Sequence, residues 1–190
     1  SWVNLTSNLN VTDIIINDNK IYATTNGGVI ILDQENETFN SLDFNDDIYP
    51  LDLKSIYIDS NKNILLGSNG PVPSIQLLDS SYQTINTVLL NGIGGITQID
   101  QIIEFNNNIY AVGKGTEFDI FIEFRFDEDK SLYYQTVINN LPLQNISVIY
   151  DIDKENGVGG DELFITTDKG IIQGTIIQNE VKWSVYTTAD

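Results

Sequence analysis

The sequence predicts an all-β chain organised as about four β-propeller blades. One pattern of short apolar runs recurs four times with a period in the forties, and each unit holds four strand-sized runs. No stretch shows a helical period of 3.6.

The four units share one grammar: an alternating apolar run, a polar turn, a second short run, a Gly-containing loop and a third run. They cover Val11 to Asp33, Leu53 to Asp79, Ile99 to Asp127 and Ile146 to Ile177. In the first run Ile14, Ile56, Ile102 and Val148 occupy equivalent positions; in the second run Ile21, Ile64, Ile109 and Leu163 do. The fourth unit is stretched by an insertion around Asn156 to Gly160. A fourth run closes each unit: Thr38 to Phe44, Tyr82 to Leu90, Ser131 to Asn139 and Val181 to Thr187. These runs are rich in β-branched and aromatic residues, and turn-forming Asn, Asp and Gly separate them. The expected blades are therefore 11–44, 53–90, 99–139 and 146–187. A sandwich could use the same strands, but the Gly loop at one place in every unit argues for blades.

Trp2 and Trp183 stand in what reads as the same slot of an outer strand, so Ser1 to Thr6 form an extra outer strand ahead of the first blade. The fourth unit already supplies its own outer strand. A closed four-bladed ring would leave one of the two with a bare edge. The expectation is a segment of a larger ring of about six to eight blades. The sequence contains no Met, and the expected origin is a mature product or an excised fragment.

Composition excludes several function classes. The net charge of −18, with eight Lys and a single Arg (Arg125), repels phosphate backbones and anionic lipid, so nucleic acid is not an expected partner. Solubility is the plain meaning of such a charge. The longest apolar stretches, such as Ile14 to Ile16 and Ile120 to Ile122, are strand-sized, so no membrane insertion by this segment is expected. Without His or Cys there is no Ser-His-Asp or Cys-His arrangement, no ordinary zinc site and no disulfide framework. One Arg cannot form the cluster that holds a sialidase substrate's carboxylate. Glycoside hydrolysis needs only two carboxylates about 5–10 Å apart, but nothing singles out a pair among 27 acidic residues. The chain is expected not to be an enzyme.

Two segments read as candidate sites. In Asp151 to Glu162, carboxylates at alternating positions precede glycines, a pattern that can wrap Ca²⁺ in oxygen ligands. The ligands would be Asp151, Asp153, Glu155 and Asp161, but Asn156 breaks the usual spacing, and an elongated solvated hairpin is the favoured reading. The second is the loop end of the blades. The loops Thr25 to Gly28, Ser68 to Ser74, Gly113 to Asp119 and Asp168 to Gly170 should crowd one face, next to the acidic connection Asp46-Asp47. Ligands of propellers usually sit on that face, which makes Tyr49, Lys54, Lys114 and Glu117 the candidate ligand contacts.

The units resemble the two-component-regulator propeller repeat, which runs roughly as L-P/T-x-N, a strand, a turn, I/L-W/Y-x-x-T, then G-G-V/L and a strand ending in D. Leu5 to Asp33 carry the resemblance most clearly, followed by Leu141 to Asp153 with Glu162 to Ile171. In units two and three, Asn69-Gly70-Pro71 and Lys114-Gly115-Thr116 stand where the Gly pair belongs. The resemblance implies an extracytoplasmic module, secreted, at the cell surface or in the periplasm of a bacterium. Such propellers form sensor regions of hybrid kinases and the front part of Bacteroidetes-type surface proteins, including PorZ-like components of type IX secretion. The motif is structural and transfers no catalytic residue. The main expectation is a non-catalytic binding or scaffolding module whose partner is a protein or a glycan. The alternative is the ligand-sensing propeller of a membrane-bound two-component regulator; a propeller hydrolase or lyase comes third.

Overall fold

Four antiparallel sheets follow one another along the chain, each built from four consecutive strands in sequential order. The structure is a computed structural model that describes residues 10–157, 160–178 and 180–187. Sheet one comprises β1 (Val11–Asn17), β2 (Lys20–Thr25), β3 (Gly28–Asp33) and β4 (Thr38–Leu42). Sheet two comprises β5 (Leu53–Ile58), β6 (Ile64–Ser68), β7 (Ser74–Leu78) and β8 (Thr84–Leu89). Sheet three comprises β9 (Ile96–Phe105), β10 (Asn108–Gly115), β11 (Ile120–Phe126) and β12 (Leu132–Val137). Sheet four comprises β13 (Ile149–Gly157), β14 (Gly160–Thr167), β15 (Gly170–Ile177) and β16 (Glu180–Tyr186). A single 3₁₀ turn, Phe44–Asp46, sits between sheets one and two. The expected extra strand Ser1 to Thr6, with Trp2, lies outside the described residues.

The first strands of the sheets pack in chain order, β1 on β5, β5 on β9 and β9 on β13. The sheets therefore lie face to face around a common axis as four consecutive propeller blades. Alternation drives this packing. In β7 and β11 nearly every side chain is buried, because both faces of a middle blade are covered. The layer between blades two and three contains Leu65, Ile75, Leu77, Ile102, Ile109, Ile122 and Phe124. Burying each such side chain contributes about 1.5–3 kcal/mol. The layer between blades three and four stacks Tyr110 on Phe121 at 5.3 Å, with Trp183 edge-on to Phe121 at 6.1 Å. A Cβ on Gly174 would lie 2.6 Å from the Trp183 ring, so the glycine makes room for the indole.

Every inner strand carries a bulge toward its first end, at Thr12, Lys54, Asp100 and Tyr150, and β9 carries a second at Thr97. The bulge re-aims the residue after it toward the next blade. Asp13 Oδ2 accepts from Ile56 N at 2.9 Å, Ser55 Oγ donates to Ile99 O at 2.9 Å, and Gln101 Oε1 accepts from Ile152 N at 3.0 Å. The bulge also corrects one expected equivalence. Ile14, Ile56 and Ile102 pair with Ala23, Leu66 and Ala111; their counterpart in blade four is Ile152, paired with Ile165. Val148 precedes β13. The alternation through Val148, Tyr150 and Ile152 hides the bulge at Tyr150, which puts Ile149 and Ile152 on one face.

Much of the acidic charge shapes turns. Asp33, Asp59, Asp79 and Asp127 each accept backbone N–H groups of the hairpin that follows, for example Asp79 Oδ1 from Ser81 N at 2.8 Å and Gln83 N at 2.9 Å. This is the physical content of a strand ending in Asp. In blades one and four the loop between second and third strands is a tight Thr-x-x-Gly turn. Thr25 Oγ1 donates to Gly28 O at 3.0 Å and Thr167 Oγ1 to Gly170 O at 2.9 Å. Gly28 has φ +121°, and a Cβ there would lie 2.1 Å from Leu42 O.

Candidate functional site

The antiparallel order of each blade gathers two kinds of segment at one end: the loops between second and third strands, and the connections between blades. The candidate ligand contacts all lie at this end. Lys54 is the bulged residue of β5, and Lys114 is near the end of β10. Tyr49 is in the connection between blades one and two, and Glu117 is in the loop before β11.

Lys54 and Lys114 belong to a continuous polar belt that crosses three blades. Lys54 Nζ lies 3.0 Å from Asp52 Oδ1, and Asn69 Nδ2 donates to Asp52 Oδ2 at 2.6 Å. Asn69 forms a lone antiparallel bridge with Gln98, whose Nε2 donates to Asp100 Oδ1 at 3.0 Å. Lys114 Nζ lies 3.9 Å from Asp100 Oδ2 and donates to Asp119 Oδ2 at 2.8 Å and to Ile149 O. Asp119 Oδ2 also accepts from Ile149 N at 2.8 Å. Both ammonium groups thus serve to hold blades and loops together. Burial alone would raise the Asp52 carboxyl, but the Asn69 amide and the Lys54 ammonium together outweigh it and hold Asp52 below the ordinary carboxylate range. With three carboxylates against two ammonium groups, the belt disfavours an anionic ligand.

Tyr49 and Glu117 are instead exposed on the rim. Tyr49 is 67% exposed while its N–H donates to Gln76 Oε1 at 3.2 Å. Gln76 is buried in β7, and its Nε2 donates to Asp47 O at 2.6 Å and to Thr84 Oγ1 at 2.8 Å, fixing the connection that carries Tyr49. The acidic pair in that connection is also structural on one side: Asp46 Oδ2 accepts from Asp43 N at 3.0 Å, closing the cap of the 3₁₀ turn.

Beside Glu117 lies a cleft between blades three and four, about 560 Å³, that the sequence reading did not identify. Phe118, Val137 and Leu141 supply its apolar wall, and Asn139, Asn140 and Gln144 supply amides. Phe118 is 47% exposed. The signal in the sequence is the density of amides from Asn139 to Asn145, of which Asn145, at φ 58°, serves the turn itself.

The four candidate calcium ligands do not converge. Asp151, Asp153 and Glu155 alternate along β13, all exposed, and β13 pairs with β14 up to Gly157 opposite Gly160. Asp161 is paired with Asn156, so it lies on the other face, beside Lys154 in a pocket that also includes Glu104. Asp151 Oδ1 accepts from Gln101 Nε2 at 3.0 Å. Among the described residues no group of three or more acidic side chains is placed to hold a metal ion.

No known family model matches the chain, and no curated protein matches it in sequence. Among solved structures it is similar to the extracellular domain of a hybrid two-component system of B. thetaiotaomicron, at 19% identity and TM-score 0.64, over 93% of this chain and 23% of that one. A second such extracellular domain from the same organism matches at 14% identity and TM-score 0.61, over 94% and 24%. The N-terminal domain of Nup159 matches at 10% identity and TM-score 0.59, over 97% and 54%. The chain therefore spans about a quarter of the two bacterial domains and about half of the third. At these identities the likeness shows the fold, a β-propeller.

Proposed function

We propose that this chain is part of an extracytoplasmic ligand-sensing propeller of a membrane-bound two-component regulator, and that it acts by binding without catalysis. The observation that carries the reading is the cleft of Phe118, Asn139, Asn140 and Gln144, set at the loop end beside the acid-rich belt. Exposed apolar surface flanked by amides suits an uncharged, polyhydroxylated ligand, since an aromatic ring can stack on a sugar face while amides bond its hydroxyls. The negative surface disfavours phosphorylated or sulfated ligands. Two of the similar folds are extracellular domains of two-component systems, which supports a sensor and a bacterial, extracytoplasmic setting. The reading calls for no cofactor.

The test is a thermal-shift screen of the protein against neutral oligosaccharides, repeated on Phe118→Ala and Asn140→Asp. The expected result is at least one neutral oligosaccharide that raises Tm for the parent and not for Phe118→Ala. Stabilisation by anionic sugars only, or a response of both variants equal to that of the parent, would reject the cleft. The second reading is a surface scaffold of the type IX or PorZ-like kind. It is favoured by the uncovered apolar face of blade one, where Ile14 and Ile16 are exposed.

A further inference from the structure

The repeat supplies its own control for what each position of a blade face requires. In β3, Ile31 pairs with Tyr22 and is 2% exposed; in β7, Leu77 pairs with Leu65 and is fully buried. Both belong to apolar layers that face the following blade. The same position of β11, opposite Tyr110, holds Glu123, which is only 7% exposed. A carboxylate costs far more to bury than an aliphatic side chain, and a buried ion pair is ordinarily no more stable than an apolar pair of its size. Packing therefore does not explain Glu123.

Glu123 anchors the single arginine of the chain. Arg125 Nε donates to Glu123 Oε1 at 2.8 Å, and Asn108 Nδ2 donates to the same oxygen at 3.3 Å. Among the described residues the guanidinium bonds through Nε alone, and Glu123 Oε2 has no partner. A guanidinium held in this way keeps both Nη groups for a bidentate carboxylate. Arg125 and Glu123 line a cleft of about 240 Å³ between blades three and four, with Trp183 and Glu180 of β16 opposite them. Ile138 and Asn140 also border the cleft beside Glu117, whereas Phe118 lines that cleft alone.

We infer that this second cleft binds a free α-amino acid, its carboxylate on the Arg125 Nη groups and its ammonium against Glu123 Oε2 and the Trp183 ring. Charge selects the ligand class. A net charge of −18 repels a simple carboxylate, and a simple ammonium leaves the Arg125 fork unused. A zwitterion has no net charge and answers both groups, and an indole face attracts an ammonium. The volume suits a ligand of this size and is too small for an oligosaccharide.

The test is isothermal titration calorimetry of the 190-residue protein with the L-amino acids, using acetate and methylammonium as single-charge controls. The expected result is that at least one amino acid binds and neither control matches it. Arg125→Lys, which keeps the charge and loses the fork, should weaken binding on the order of 10-fold or more. Glu123→Leu, which restores the residue type of blades one and two, should abolish binding and leave Tm unchanged or raised. Phe118→Ala should bind as the parent does. Heat from no amino acid would overturn the inference, as would acetate binding equally tightly. So would undiminished binding by Arg125→Lys, which decides the matter should Glu123→Leu lower Tm. Loss of binding in Phe118→Ala would place the ligand in the other cleft and overturn it too.

Discussion

The layer between blades two and three and the polar belt at the loop end hold neighbouring blades together by opposite means. The layer is mainly apolar, with Ser55 Oγ donating to Ile99 O beside it; most of its side chains come from strands, and each contributes in proportion to the area it removes from water. The belt is a relay of amides, carboxylates and two ammonium groups drawn from four separate loops and strand ends. Its members gain little from burial and depend on geometry. The contrast teaches that the blades are built by the layers and registered by the belt.

The largest expected effect breaks the layer. Phe124→Ala removes a fully buried ring that packs edge-on against Tyr134, and urea denaturation should show a loss of about 3–5 kcal/mol. Breaking the belt should cost less. Lys114→Met keeps the stem but leaves Asp119 and Ile149 O without their ammonium donor, with an expected loss of about 2 kcal/mol by the same measurement. A turn residue comes next: Asp79→Ala frees two backbone N–H groups in an exposed hairpin, worth about 1 kcal/mol.

The belt also predicts a pH dependence that the layer lacks. Asp52 is held below its unfolded pKa, so its contribution is present above the ordinary carboxylate range and is lost as pH falls through the lower folded value. Asp52→Asn should therefore flatten the acid side of a urea-midpoint profile below about pH 4 and leave neutral pH little changed in slope. The smallest effect belongs to an exposed pair in neither region. Lys62→Ala, which loses its contact with Asp18 at 3.3 Å, should change stability by less than about 0.5 kcal/mol.

The difference between the two regions also explains what could be read in the sequence. The layers were legible because period-two alternation in runs such as Ile122 to Phe126 and Val181 to Val185 reports directly on sheet faces. The bulges were not, because one extra residue reverses the alternation without altering composition; Val148 therefore stood in for Ile152. The Gly turn of the repeat was clear in blades one and four, where Thr25 and Thr167 set a tight turn, and blurred in the longer loops of blades two and three. Of the candidate ligand contacts, Tyr49 and Glu117 lie exposed on the rim. Lys54 and Lys114 were singled out for their charge, but their partners Asp52 and Asp119 are fixed by the three-dimensional meeting of loops. The cleft went unseen for the same reason: Phe118 and Asn140 belong to one wall only after β11 and β12 pair.

The most direct test of the account is to locate the bound ligand. Backbone amide shifts would be followed by NMR while the neutral oligosaccharide found in the thermal screen is titrated into the protein. The account predicts that the perturbed amides cluster at Glu117 to Phe121 and Val137 to Ile146, with the hairpin end around Asn61 and Asn107 unmoved. Perturbations centred on the hairpin end, or none at saturating ligand, would contradict it.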